Sequence, residues 1–232
     1  SRGRYEEAES MNRRALEGSE KELGANHPDT LTSVSNLASV LQSRGRYEEA
    51  ESMNRRALEG REKELGANHP DTLTSVSKLA SVLESRGRYE EAESMNRRAL
   101  EGREKELGAN HPDTLTSVSN LASVLENRGR YEEAESMNRR ALEGSEKELG
   151  ANHPDTLTSV SNLALVLENR GRYEEAESMN RRALEGYEKE LGANHPYTLT
   201  SVSNLALVLK NRGRYKEAES MNRRALEGKE KF

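Results

Sequence analysis

The chain has 232 residues, of which 32% are hydrophobic and 33% charged, with one Phe, no Trp and a formal net charge of −5. Apolar content this thin does not fill a single globular core, and the mild acidity argues against a nucleic-acid partner. There is no cysteine, which excludes a disulfide framework, a thiolate zinc site and a cysteine nucleophile.

The opening residues, "SRGRYEEAES", do not resemble a signal peptide. They begin in the middle of a phrase that recurs later, so the chain reads as a piece of something longer. "RGRYEEAESMNRRALEG" starts at Arg2, Arg44, Arg86, Arg128 and Arg170, and with one change at Arg212, a period of 42 residues. A lone helix is expected near Arg4 to Leu23, inside segment 1–24. The first full period, 25–66, then holds two helices. "NHPDT" opens the first of them, with Asn26 or His27 as cap, Pro28 at the first helical position and Asp29 at the positive end of the dipole. Leu31, Val34, Leu37, Ala38 and Leu41 recur at helical spacing on one face, and Gly45 ends the helix. The second helix starts near Tyr47. Its apolar face runs through Tyr47, Ala50, Met53, Ala57, Leu58 and Leu65, and Gly66 closes it.

The same pair is expected over 67–108, 109–150, 151–192 and 193–232, making eleven helices in one array. The strict periodicity and the richness in Ala, Leu, Glu and Arg speak for helix rather than disorder. A helix pair with one apolar stripe on each member buries both only by stacking on the next pair. The fold class is therefore an all-α solenoid. The longest apolar run, Leu205 to Leu209, is too short to span a membrane.

The residues also carry a resemblance. "SNLASVLESRGRYEEAESMNRRALE" resembles a tetratricopeptide repeat, through Leu79, Ala80, Gly87, Tyr89, Ala92, Ala99 and Leu100. The added "EKELGANHPDTLTSV" resembles the longer, kinesin light chain variety, and very similar units occur in fungal receptor-like (NLR) proteins. The resemblance implies a right-handed superhelix, a cytoplasmic setting, and a protein or peptide partner held in a concave groove lined by the first helices. The chain departs from the family in lacking large aromatics in the first helix, where Val34 and its copies stand.

Three motifs invite chemistry and fail on physical grounds. His27, His69, His111, His153 and His195 recur one period apart. Stacked helices sit roughly 8–10 Å apart, whereas each imidazole must lie about 2 Å from a shared metal. Ser, His and Asp meet in every "NHPDTLTS", but Asp155 becomes Tyr197 in the last copy with nothing else disturbed, and no buried orienting acid is suggested. No phosphate-binding loop appears. No catalytic residue, metal or cofactor is expected. The Arg13–Arg14 and Arg55–Arg56 pairs beside Glu48, Glu49 and Glu51 read as a solvated, salt-bridge-laced face.

The copies differ at few places. On the first helix these are Asn36, Lys78, Asn120, Asn162 and Asn204; Ser39, Ser81, Ser123, Leu165 and Leu207; and Gln42, Glu84, Glu126, Glu168 and Lys210. Ser43 and Ser85 also change to Asn127, Asn169 and Asn211. These offsets share one helical face, which the resemblance places in the groove, with the asparagines bonding the backbone of an extended peptide. The three rows, Gln42 aside, form the candidate binding site. One second-helix position is equally restless, running Ser19, Arg61, Arg103, Ser145, Tyr187 and Lys229. A constant scaffold with a changing face suits a recognition array, here for a partner of basic and apolar character.

Two further readings stay open: an engineered, consensus-like solenoid without a natural ligand, and a cargo adaptor like kinesin light chain. For the adaptor only Lys78 and Lys210 supply basic groove residues. Self-association end to end is expected from the uncapped terminal helices.

Overall fold

The computed structural model describes residues 2–230. Eleven α-helices follow one another, as the periodicity predicts: α1 (Arg2–Leu23), α2 (Pro28–Ser43), α3 (Tyr47–Leu65), α4 (Pro70–Ser85), α5 (Tyr89–Leu107), α6 (Pro112–Asn127), α7 (Tyr131–Leu149), α8 (Pro154–Asn169), α9 (Tyr173–Leu191), α10 (Pro196–Asn211) and α11 (Tyr215–Lys229). They gather into two compact units, Ser1–Gly108 and Ala109–Phe232. Within each unit a helix packs on its neighbours in the chain, α1 on α2 on α3 and onward to α5, and α6 on α7 and onward to α11.

Local chemistry sets the helix ends. His27 caps α2, its Nδ1 accepting from the Asp29 amide at 3.2 Å. His69, His111, His153 and His195 repeat the arrangement. The cap is thus the histidine rather than Asn26, and its ring nitrogen is already used. Past the end of α2 the chain turns at Gly45, φ +74°, while the Arg46 amide returns to the Leu41 carbonyl at 2.9 Å. That left-handed turn satisfies carbonyls the helix leaves open.

Each unit is stitched by small buried side chains. Leu16, Val34, Leu37, Leu41, Ala50, Ala57 and Val82 form one cluster in the first unit, with Met53 against it. Leu184, Val202, Leu205, Leu209, Ala218 and Ala225 form its counterpart in the second. Gly60 lets α3 approach α2 closely: a Cβ there would lie 2.7 Å from Leu31 Cδ2. Tyr47 does not join the core. It stands 37% exposed at the start of α3, and the buried part of that helix face begins at Ala50.

The charged ladders are not merely a solvated face. Glu51 is buried and accepts from three guanidiniums: Arg55 one turn on at 2.8 Å, Arg88 at 2.7 Å, and Arg86. The last two belong to the next copy of "RGR". Glu9 gathers Arg13, Arg44 and Arg46 in the same way, Glu135 gathers Arg139, Arg170 and Arg172, and Glu177 gathers Arg181, Arg212 and Arg214. Arg56 adds a further bond to Glu20 of the preceding copy at 2.5 Å. Within each unit a repeated carboxylate thus clamps one helix pair to the next. Burial alone would raise these carboxyl pKa values; the arginine hydrogen bonds reverse this, lowering Glu51, Glu135 and Glu177 and holding Glu9 at about 2.

Candidate functional site

The three variable rows lie on the first helix of each pair. In the first unit α2 carries Asn36, Ser39 and Gln42, and α4 carries Lys78, Ser81 and Glu84. Asn36, Ser39 and Ser81 are exposed; Lys78 and Glu84 are half-buried. Gln42 reaches across the pair boundary, donating to Ser81 Oγ at 3.0 Å and Ser85 Oγ at 3.3 Å. Burial, and then the nearby charge of Arg61, lowers the Lys78 ammonium below the usual lysine range. Arg61 itself is buried between α2 and α4. It donates to Ser75 Oγ at 2.7 Å and to Ser35 Oγ and Thr32 Oγ1, each at 3.2 Å.

In the second unit α6 carries Asn120, Ser123 and Glu126, α8 carries Asn162, Leu165 and Glu168, and α10 carries Asn204, Leu207 and Lys210. Asn120, Asn162 and Asn204 are half-buried, and among the described residues none of their amides has a hydrogen-bond partner. Leu165 and Leu207 are exposed at 51% and 47%, unusual for leucine in a helix packed on both sides. Three cavities follow this face. One of about 300 Å³ is lined by Asn120, Ser145 and Asn162. A second, about 340 Å³, is lined by Ser123, Glu126, Leu165 and Asn169. A third, about 250 Å³, is lined by Asn162, Leu165, Tyr187, Tyr197, Asn204 and Leu207.

The glutamate row of one copy is bonded to the asparagine row of the next. Asn169 Nδ2 donates to Glu126 Oε2 at 3.4 Å, and Asn211 Nδ2 donates to Glu168 Oε1 at 2.7 Å. Asn138 Nδ2 also donates to Glu126, at 3.2 Å. Burial raises both carboxyl pKa values, an effect that these amides oppose without cancelling. Glu126 and Glu168 therefore tie one first helix to the next as well as facing the cavities. Lys210, at the same position on α10, is exposed.

Two participants were absent from the candidate rows. Tyr187 of α9, at the restless second-helix position, is 3% exposed and reaches the first helices. Its hydroxyl lies 2.9 Å from Thr158 Oγ1 and donates to the Pro154 carbonyl at 3.3 Å. Its ring stacks on Tyr197, with centroids 5.8 Å apart and planes at 29°. The variability of both positions was visible in the sequence; their meeting was not, because ten residues and a turn separate them.

The arrangement presents hydrogen-bonding amides, apolar side chains and carboxylates rather than a reacting group. The histidines face their own helix ends, four of them beside a flanking acid, as in His69 Nδ1 to Asp71 Oδ2 at 3.9 Å, and His195 beside the Tyr197 ring at 5.4 Å between centroids. Among the described residues no three His, Asp or Glu side chains gather to hold a metal, and no helix is long and apolar enough to cross a membrane.

The family model described as "Tetratricopeptide repeat" matches residues 1–63, 33–105, 71–147, 113–189 and 156–231. Among solved structures, the chain is similar to a Podosopora anserina protein of nearly identical TPR-like repeats, provisionally named a kinesin light chain. That match has 27% identity and a TM-score of 0.75, covering 88% of this chain and 97% of that one. It is also similar in fold to BtubC (BKLC) from P. vanneervenii, with 24% identity and a TM-score of 0.81, over 97% of this chain and 91% of that one. No curated protein matches.

Proposed function

The chain belongs to the tetratricopeptide-repeat family, and on that premise we propose that it is a non-catalytic interaction array over 1–232 that binds an extended peptide or protein segment along its first-helix face. The observation that carries this reading is the row Asn120, Asn162 and Asn204, half-buried amides without partners beside three cavities. An amide donates and accepts at once, so it holds a strand's backbone whatever its side chains. The scaffold repeats nearly letter for letter while the changes cluster on this face. That pattern supports a ligand-sensing array of a cytoplasmic receptor-like protein similar to fungal NLR proteins. Similarity to the P. anserina protein supports a second reading, a cargo adaptor.

Selection from a random peptide display library tests the reading. We expect peptides that enrich on the native chain to be lost when Asn120, Asn162 and Asn204 are all changed to Ala. Enrichment of nothing, or of the same peptides on both proteins, rejects it.

The reading includes self-association. Tyr5 and Met11 on α1, and Tyr215 and Leu226 on α11, are large apolar side chains exposed at 47%, 66%, 68% and 64%. Sedimentation velocity over rising concentration is expected to show a growing species. A monomer throughout removes this part of the proposal.

A further inference from the structure

Four positions set the last two copies apart from the earlier ones: Leu165 and Leu207 replace serine, Tyr187 replaces Ser145, and Tyr197 replaces Asp155. They are scattered over 43 positions of sequence and three helices, yet all four line one cavity of about 250 Å³ in the second unit. Every one of these changes adds apolar surface.

The hydroxyls of Tyr187, Ser161 and Thr200 around it are already engaged, whereas among the described residues the Asn162 and Asn204 amides have no partner. The Tyr187 hydroxyl is held by Thr158 and the Pro154 carbonyl, so the residue offers its ring. Ser161 Oγ donates to the Leu157 carbonyl at 3.0 Å, and Thr200 Oγ1 to the Pro196 carbonyl at 2.9 Å. The volume falls below the roughly 300–1,000 Å³ typical of whole small-molecule ligands and suits a single side chain. The stacked tyrosines present an offset surface to a further ring. On the cavity wall stands Glu168, whose one hydrogen-bond partner is the neutral Asn211 amide; among the described residues no cation pairs with it.

We propose that Leu165, Tyr187, Tyr197 and Leu207 form a socket for one aromatic side chain of an extended peptide, and that Glu168 pairs with a lysine or arginine beside that aromatic. The inference rests on the peptide-binding reading above. Asn162 and Asn204, on the same wall, hold the backbone that delivers the ring.

The test uses the random peptide display library on the full chain, with labelled copies of the enriched peptides for affinity. One variant returns the socket to residues the other copies carry: Leu165→Ser, Tyr187→Ser, Tyr197→Asp and Leu207→Ser. A second, Leu207→Lys, changes only a half-exposed side chain and blocks the socket without touching the core. A third, Glu168→Gln, removes the charge. Peptides enriched on the native chain are expected to pair an aromatic with a neighbouring basic residue. They should bind about tenfold or more weaker to the first two variants, as loss of a buried ring requires. On Glu168→Gln they should keep the aromatic and lose the preference for the basic residue. Peptides lost on the triple Asn→Ala variant but retained on both socket variants overturn the socket and leave the peptide-binding reading standing. Enriched peptides without an aromatic overturn it too. Enrichment of nothing overturns both.

Discussion

Ala57→Glu is expected to destabilise the first unit by about 4 kcal/mol, because it forces a carboxylate into an apolar cluster with no partner to receive it. Ala57 is fully buried among Leu16, Val34, Leu37, Leu41 and Val82. Helix propensity cannot be the cause, since glutamate is a good helix former. The nearby change Glu59→Ala, on the exposed face of α3, supplies the control and should move stability by no more than about 0.5 kcal/mol. In a repeat array stability is carried by contacts between neighbours, so the damage should appear as an early, separate transition rather than a uniform shift. Urea and thermal melts followed by circular dichroism read both effects. An unchanged melt for Ala57→Glu removes the core assignment.

Acid should loosen the array through its carboxylate clamps. Glu9 has a pKa of about 2 in the folded chain against 4.5 for a free glutamate, and Glu51, Glu135 and Glu177 shift the same way. A carboxylate whose folded value is depressed adds stability that is fully present above the unfolded value and is lost as pH falls through the folded one. The expected melting temperature is therefore flat near neutrality and falls from about pH 4.5 towards pH 2. Glu126 and Glu168, raised by burial, act in the opposite direction and soften the fall. Replacing Glu51, Glu135 and Glu177 together by Gln should lower the melting temperature at neutral pH and flatten its acid dependence. A triple variant with the native pH profile would show that the clamps carry no linkage. Because each Glu stands between a helix and the next copy's turn, the loss should separate neighbouring pairs before it melts individual helices.

Much of the fold was legible because its determinants are local. A histidine cap with proline at the first helical position starts each first helix, glycine with positive φ ends it, and Leu31, Val34, Leu37, Ala38 and Leu41 mark the face that is in fact buried. All of these act within a few residues, where helical geometry alone decides who meets whom. The variable rows were legible for the same reason, since Asn162, Leu165 and Glu168 fall on one side of one helix.

What only the tertiary structure decided depends on distance along the chain. Glu51 and Arg86 are 35 residues apart, and no helical period predicts that they meet. They do so because stacking one pair on the next brings each second helix against the following turn, and that stacking converts a ladder read as solvated into buried clamps. Tyr47 fits the sequence face and misses the core, standing 37% exposed while Ala50, one turn on, is fully buried. The cavity framed by Tyr187, Tyr197, Leu165 and Leu207 belongs to this second kind. The sequence by itself determined which positions change and which helix faces they occupy. Only packing decided that those changes share one wall, because side chains on α8, α9 and α10 are brought together by burial of a core that none of them belongs to by pattern.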